Sequence, residues 1–208
     1  MLKTLHSLLS VMCTAFTLVS VPGVSLAQPL TPEQWAEVDR VEAYLSELET
    51  VQARFVQTSS LGGFAEGTFY LKRPGRMRIE YEPPVPYLYV ADGVWLTFYD
   101  GELDQRWDAL LGTTLADFVV REDVDFGGDV LVRDVRHSDG HLRVDVLQAE
   151  DPQGGRLTLI FEDADAGLSL VAWEVLDAQN VVTRVDLLDR QVGIELSSRL
   201  FTAPRPDR

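Results

Sequence analysis

Cysteine is almost absent from this chain. The one cysteine, Cys13, lies inside an apolar N-terminal stretch, and the large residues Val11 and Met12 before it do not fit a site of N-terminal lipid attachment. A chain cleaved after Ala27 therefore has no disulfide and no thiol nucleophile. Positive charge is also scarce: 18 Lys and Arg stand against 33 Asp and Glu, a net charge of −15. That balance argues against nucleic acid, whose phosphates need basic surface, and against constitutive adsorption to anionic membranes. Beyond Lys3 the single lysine is Lys72. Beyond residue 27 the histidines are His137 and His141, on either side of Ser138-Asp139-Gly140, and two imidazoles without further ligands do not make a metal site. There is no G-x-S-x-G, H-E-x-x-H, P-loop or G-x-G-x-x-G. Acid groups such as Glu122, Asp123 and Asp125 read as solvated loop charge, so no catalytic pair is singled out.

The one long apolar run, Leu5 to Val21, follows Lys3 and ends before Ser25-Leu26-Ala27. This is the pattern of a cleaved secretory signal peptide over residues 1–27, and it is short for a membrane span. Residues 28–208 then read as one domain, an exported product. Without Lys3 the balance becomes 17 basic against 33 acidic residues.

What the chain does have is concentrated between Phe64 and Tyr99. FAEGTFYL and RMRIEY flank the turn Lys72-Arg73-Pro74-Gly75, and YLYVA and VWLTFY flank Asp92-Gly93, a strong hairpin signal. The stretch is rich in aromatics and carries four basic residues, Lys72, Arg73, Arg76 and Arg78. Ahead of it, Thr31-Pro32-Glu33-Gln34 predicts a capped helix start. Trp35, Val38, Val41, Leu45 and Leu48 form its apolar stripe, and the helix runs to about Thr50. From Val51 the period becomes two, with Val51, Ala53, Phe55 and Gln57 on one face.

A fifth strand is expected at Glu102–Trp107. Segment 108–120 reads as one or two short inserted helices, the second capped by Thr114, and Glu122–Asp129 as a mobile acidic loop. Five more strands follow, at 130–137, 142–149, 157–161, 168–176 and 181–189, separated by Gly- and Asp-containing turns. Ile194–Phe201 reads as a turn and a last strand. Short antiparallel strands at regular spacing predict a sandwich or barrel. Strands 87–91 and 94–99 are apolar on both faces. An ordinary two-sided core explains this. So does a sheet with the first helix on one face and an apolar cavity, capped by 108–120, on the other.

Taken in order, these residues resemble the periplasmic outer-membrane lipoprotein carrier family, LolA. The shared features are the signal peptide, the opening helix, Phe55-x-Gln57 and Gly67-Thr-Phe-Tyr-Leu-Lys-Arg-Pro74. They continue through the run from Tyr81 to Pro84, Val90-Ala-Asp-Gly93, Trp95-x-x-Phe-Tyr99, Gln105 and Leu-Phe-Thr-Ala-Pro204. The strand after the basic turn is more charged here than is usual in the family, and the lid segment matches in character alone. The resemblance implies a mainly β, α+β fold: an incomplete antiparallel β-barrel, or strongly curved sheet, with an N-terminal helix and a short helical lid over an apolar cavity. It implies a periplasmic chaperone, not an enzyme, with no cofactor or metal, acting as a monomer. Its partners would be acylated lipoproteins, the inner-membrane lipoprotein-releasing ABC transporter complex and, where present, a LolB-like outer-membrane acceptor.

Arg73 matches the family arginine that hydrogen-bonds the closed lid. Candidate cavity residues are Phe55, Phe69, Ile79, Tyr81, Tyr89, Trp95, Phe98 and Trp107; candidate lid residues are Leu110, Leu111, Leu115 and Phe118. Arg76 and Arg78 have no role from sequence beyond head groups, the acidic loop or solvent. A regulatory module of the same fold that senses lipid or lipoprotein is the second expectation; the absence of a further domain before Arg208 weighs against it. An enzyme acting on an envelope substrate is the third.

Overall fold

The computed structural model of the chain describes residues 29–122 and 124–204, without the side chains of Leu115 and Ala116. The signal-peptide reading and the last four residues lie outside that range.

Helix α1 spans Pro32–Glu47 and begins as its sequence predicts. The Thr31 hydroxyl accepts from the Gln34 N–H at 3.2 Å, and the Gln34 side chain accepts from the Thr31 N–H at 2.9 Å. Eleven strands follow in one antiparallel sheet: β1 Thr50–Ser59, β2 Phe64–Lys72, β3 Arg76–Tyr81, β4 Tyr87–Asp92, β5 Trp95–Asp100, β6 Gln105–Leu110, β7 Val130–Ser138, β8 His141–Gln148, β9 Gly155–Ala164, β10 Gly167–Asp177 and β11 Val182–Val192. Their order is β6-β5-β4-β3-β2-β1-β11-β10-β9-β8-β7. Two meanders thus meet where the first strand pairs with the last. This is the strongly curved, open antiparallel sheet expected, with helices on it.

The order carries a topological demand. Strands β6 and β7 sit at opposite edges, so segment 111–129 must cross the whole sheet. It contains a 3₁₀ turn, Leu111–Thr113, and helix α2, Leu115–Val120. It crosses on the face that also carries α1. Val38, Val41 and Leu45 of α1, Phe118 and Val120 of α2, and Phe55, Phe69, Leu71 and Met77 of the strands form one buried cluster. We call this the inner face. The expectation of a helix on one face and a cavity on the other is therefore corrected: helices and candidate cavity residues share a face.

The outer face of β2–β5 is apolar for a different reason. Leu196 and Phe201 of the C-terminal segment pack there on Leu88, Val90, Tyr70 and Tyr99. Residues 194–201 form no last strand, because β1 is already paired on both sides and the segment lies across the sheet; Ser198–Phe201 is a 3₁₀ turn. Three further corrections are local. Helix α1 stops at Glu47. The strand expected at 102–107 runs from Gln105 to Leu110, because β5 offers partners as far as Trp95 for Leu110. The segment read as a mobile acidic loop is anchored: Val124 and Phe126 are buried, the Phe126 N–H donates to Glu42 at 2.6 Å, and Phe126 packs on Phe118.

The outer face of the other half holds the charge. Asp145, 3% exposed, accepts from Thr158 at 2.7 Å and pairs with Arg136 at 3.0 Å, while Arg184 bridges Glu174 and Asp186.

Gly67 shows how closely the inner face is packed. It lies opposite Phe55 and Tyr81 in the ladder. A Cβ there would overlap the Glu80 carbonyl oxygen and come within 2.7 Å of the Phe55 ring. Gly67→Ala is expected to destabilise the protein by about 1–3 kcal/mol, as overpacking does. Urea unfolding measures this, and an unchanged midpoint would show that the ladder yields at this point.

Candidate functional site

Along the inner face runs a groove made of two adjoining cavities, the smaller of which lies against Val119 of α2. One, of about 170 Å³, is lined by Phe69, Met77, Ile79, Val119, Leu157, Trp173 and Val175. The other, of about 390 Å³, shares Ile79, Trp173 and Val175 and adds Phe55, Gln57, Tyr81, Tyr89, Asp177, Thr183 and Val185. From Phe55 a file of rings crosses toward the β6 edge. Phe55 meets Tyr81 at 5.1 Å, Tyr81 meets Tyr89 at 6.3 Å, Tyr89 meets Phe98 at 4.7 Å, and Phe98 stacks on Trp107 at 5.3 Å. Alternation along each strand puts these rings on one face, and antiparallel register brings them abreast.

The structure therefore places Phe55, Phe69, Ile79, Tyr81 and Tyr89 on the groove wall, with Phe98 and Trp107 continuing the file to the edge. Trp95 lies apart, on the outer side with Thr97 and Tyr99, because strand parity separates it from Phe98. Among the lid candidates, Leu111 and Phe118 are buried in the inner core. Leu110 is the exposed last residue of β6 rather than part of a helix. Leu115 opens α2, but its side chain lies outside the described residues. Thr114 precedes α2 without capping it: its hydroxyl donates to the Leu111 carbonyl instead.

Sequence reasoning missed the wall supplied by the second meander, Leu157, Trp173, Val175 and Val185. The signal was present but phase-shifted. A bulge between Leu170 and Ala172 moves the inward residues from even to odd positions, so Leu168 and Leu170 share a face with Trp173 and Val175.

The basic turn between β2 and β3 faces both ways. Outward, Lys72 donates to the Leu196 carbonyl at 2.7 Å, Arg76 to the Ser198 hydroxyl at 3.1 Å, and Arg78 to the Leu200 carbonyl at 3.1 Å. These three fasten the C-terminal segment, which gives Arg76 and Arg78 a place. Inward, Arg73 donates from Nε and Nη2 to the Val119 carbonyl, at 3.0 and 2.6 Å, and from Nη1 to the Leu45 carbonyl. The Gly75 N–H adds a bond to the Val120 carbonyl at 2.7 Å. These carbonyls lie in the last turns of α2 and α1, beyond the reach of an i+4 N–H donor; that of Leu45 also accepts from the Leu48 N–H at 3.3 Å. Burial pushes the Arg73 guanidinium down to about 10, so it remains a cation at neutral pH.

The histidines stay apart from this groove. His137 lies 3.3 Å from Glu37, and His141 Nδ1 is 2.8 Å from its own turn's Asp139 carbonyl.

Comparison with known proteins assigns this geometry. The family model for the outer membrane lipoprotein carrier protein LolA matches residues 46–204. The chain belongs to the LolA family. An outer-membrane lipoprotein carrier protein of Methylococcus capsulatus is 26% identical over 176 residues, covering 80% of this chain and 83% of its own. One from Chromohalobacter salexigens is 27% identical over 204 residues, covering 81% and 97%. The crystal structure of a DUF1329 family protein from Desulfovibrio piger superposes with a TM-score of 0.51 at 13% identity, over 82% of this chain and 95% of that one, a likeness of fold. In this LolA-family chain the Lys72-Arg73-Pro74 turn joins α1, α2, the sheet and the C-terminal segment.

Two tyrosines of the groove are shifted by burial. Burial pushes the Tyr81 phenol up to about 12, partly opposed by its 2.7 Å hydrogen bond to Gln57, and burial also raises Tyr89. An unfolded phenol loses its proton near 10. Between about 10 and 12 the folded Tyr81 keeps a proton that the unfolded chain has lost, so its contribution to stability falls as pH rises through that window. Arg73, deprotonating near 10 when folded, acts in the opposite sense. In an ultraviolet difference titration of the folded protein, wild type minus Tyr81→Phe should show a phenolate midpoint near 12. A midpoint at the ordinary tyrosine value would mean that the groove is wet.

Proposed function

We propose that this chain is a periplasmic, non-catalytic carrier. It takes the acyl chains of lipoproteins released from the inner membrane by an ABC-type complex and hands them to an outer-membrane acceptor. The observation that carries this reading is the apolar groove roofed by α2, with Arg73 holding the roof. Family membership supports it, as do the names of the curated relatives. Among the described residues no helix is long and apolar enough to cross a membrane.

The physics of a carrier asks for binding that is strong and reversible. Burying an acyl chain is worth about 0.8 kcal/mol per CH₂, so one long chain gains roughly 12 kcal/mol. That alone would hold cargo too firmly for handover. A lid whose own side chains fill the groove competes with the cargo. Val119 lines the groove while its carbonyl is held by Arg73. Charge-assisted hydrogen bonds of this kind are worth about 1.5–3 kcal/mol each. Loading must break them, and release restores them.

Two outcomes are expected. A fluorescent acyl probe binds the purified protein, and failure to bind would remove the carrier reading. Arg73→Leu favours the open, loaded form and slows transfer of lipoprotein to acceptor membranes by roughly tenfold or more, from the loss of even one such bond. Transfer at the wild-type rate would show that the lid does not depend on this arginine. Depletion followed by fractionation of lipoproteins between the two membranes separates a carrier from a sensing module.

A further inference from the structure

The groove is apolar at one end and polar at the other. Its smaller cavity lies beneath Val119 of α2, at the end where Arg73 meets the helix termini. Its larger cavity reaches the opposite end of the strands. There Gln57 stands late in β1, Tyr81 closes β3, and Thr183 stands near the start of β11 beside the β10–β11 turn.

The polar end has a defined chemistry. The Tyr81 hydroxyl donates to Gln57 Oε1 at 2.7 Å, which occupies the amide oxygen and leaves Nε2 with its two N–H donors. Neither that nitrogen nor the Tyr89 hydroxyl has a hydrogen-bond partner among the described residues. Asp177 is engaged with its own turn, accepting from the N–H groups of Gln179 and Val181. No Lys or Arg lines this cavity. The site thus offers hydrogen-bond donors next to a carboxylate and without a cation. That suits a neutral acceptor and disfavours a carboxylate or phosphate. Donors of this kind lose their water when a hydrocarbon fills the groove, and regain a partner only if the ligand brings an acceptor to them.

We propose that Gln57 and Tyr89, with Tyr81 orienting the amide, form a subsite for the ester or amide carbonyls at the head of a bound acyl chain. The hydrocarbon then runs past Ile79 and Trp173 toward Val119. This deepens the carrier reading and rests on it. The subsite gives the groove a polarity, so that cargo enters tail first, toward the lid end. It also selects acylated glycerides and acylated peptides over bare hydrocarbon or free fatty acid.

The test is displacement of a bound fluorescent acyl probe from wild type, Gln57→Leu and Tyr89→Phe. The competitors, matched in chain length, are a diacylglycerol, a triacylated lipopeptide, a fatty acid and an n-alkane. Each substitution should weaken the diacylglycerol and the lipopeptide about three- to tenfold, the worth of one neutral hydrogen bond, and leave the alkane unchanged. Wild type should prefer the diacylglycerol to the fatty acid. Weakening of the lipopeptide alone would assign the carbonyl to the N-acyl amide and support the subsite. Equal weakening of alkane and esters, or no weakening in either variant, would overturn it while leaving the carrier reading intact. If wild type binds neither the probe nor any competitor, the carrier reading itself falls, and the subsite with it.

Discussion

One guanidinium sits where two helices end. Helix α1 stops at Glu47 and α2 at Val120, and neither has a basic residue in its last turn to meet its terminal carbonyls. Carbonyls at a helix C-terminus carry partial negative charge and have no partner within the helix. Arg73, brought in from the β2–β3 turn, donates to Leu45 of one helix and Val119 of the other. The C-terminal end of α2 is therefore held in part by a residue outside its own segment. The crossing of segment 111–129 is dictated by topology; where it rests is fixed by this arginine and Gly75 together with the buried Phe118, Val120, Val124 and Phe126 and the Phe126–Glu42 hydrogen bond.

The same turn explains an oddity of composition. In a chain with so many carboxylates, the basic residues of this hairpin bond mostly to neutral carbonyls. Lys72 and Arg78 reach backbone oxygens of the C-terminal segment on the outer face, and Arg73 reaches helix ends on the inner one. A carboxylate partner would bind more tightly and hold longer. Carbonyls satisfy the cation with bonds of more moderate strength.

Much of the fold was legible in the sequence, because its signals are local. The Thr31–Gln34 capping box, the hairpins at Lys72–Gly75 and Asp92–Gly93, and the period-two faces of 64–72 and 76–81 depend on neighbours within a few residues. What failed depends on distant partners. Asp108-Ala109-Leu110 extends β6 because β5 continues beside it. Leu200-Phe201 looks like a strand, but β1 is already paired on both sides and the segment lies across the sheet. The choice of face for each helix was hidden because both faces of β4 and β5 are apolar, one for the inner core and one for the C-terminal segment. On the groove, the first meander's residues could be read from alternation. Trp173 and Val175 could not, since the bulge at Leu170 reverses the parity on which that reading relies.

The open sheet has a mechanical consequence. A closed barrel fixes its radius through strand number and stagger; a sheet ending in β6 and β7 does not, and its curvature is a soft coordinate. Yet the two edges are not independent, because segment 111–129 ties one to the other across the interior. This strap is fixed at both ends to opposite walls of the sheet. Whatever spreads the sheet from within therefore also pulls on the strap that crosses it.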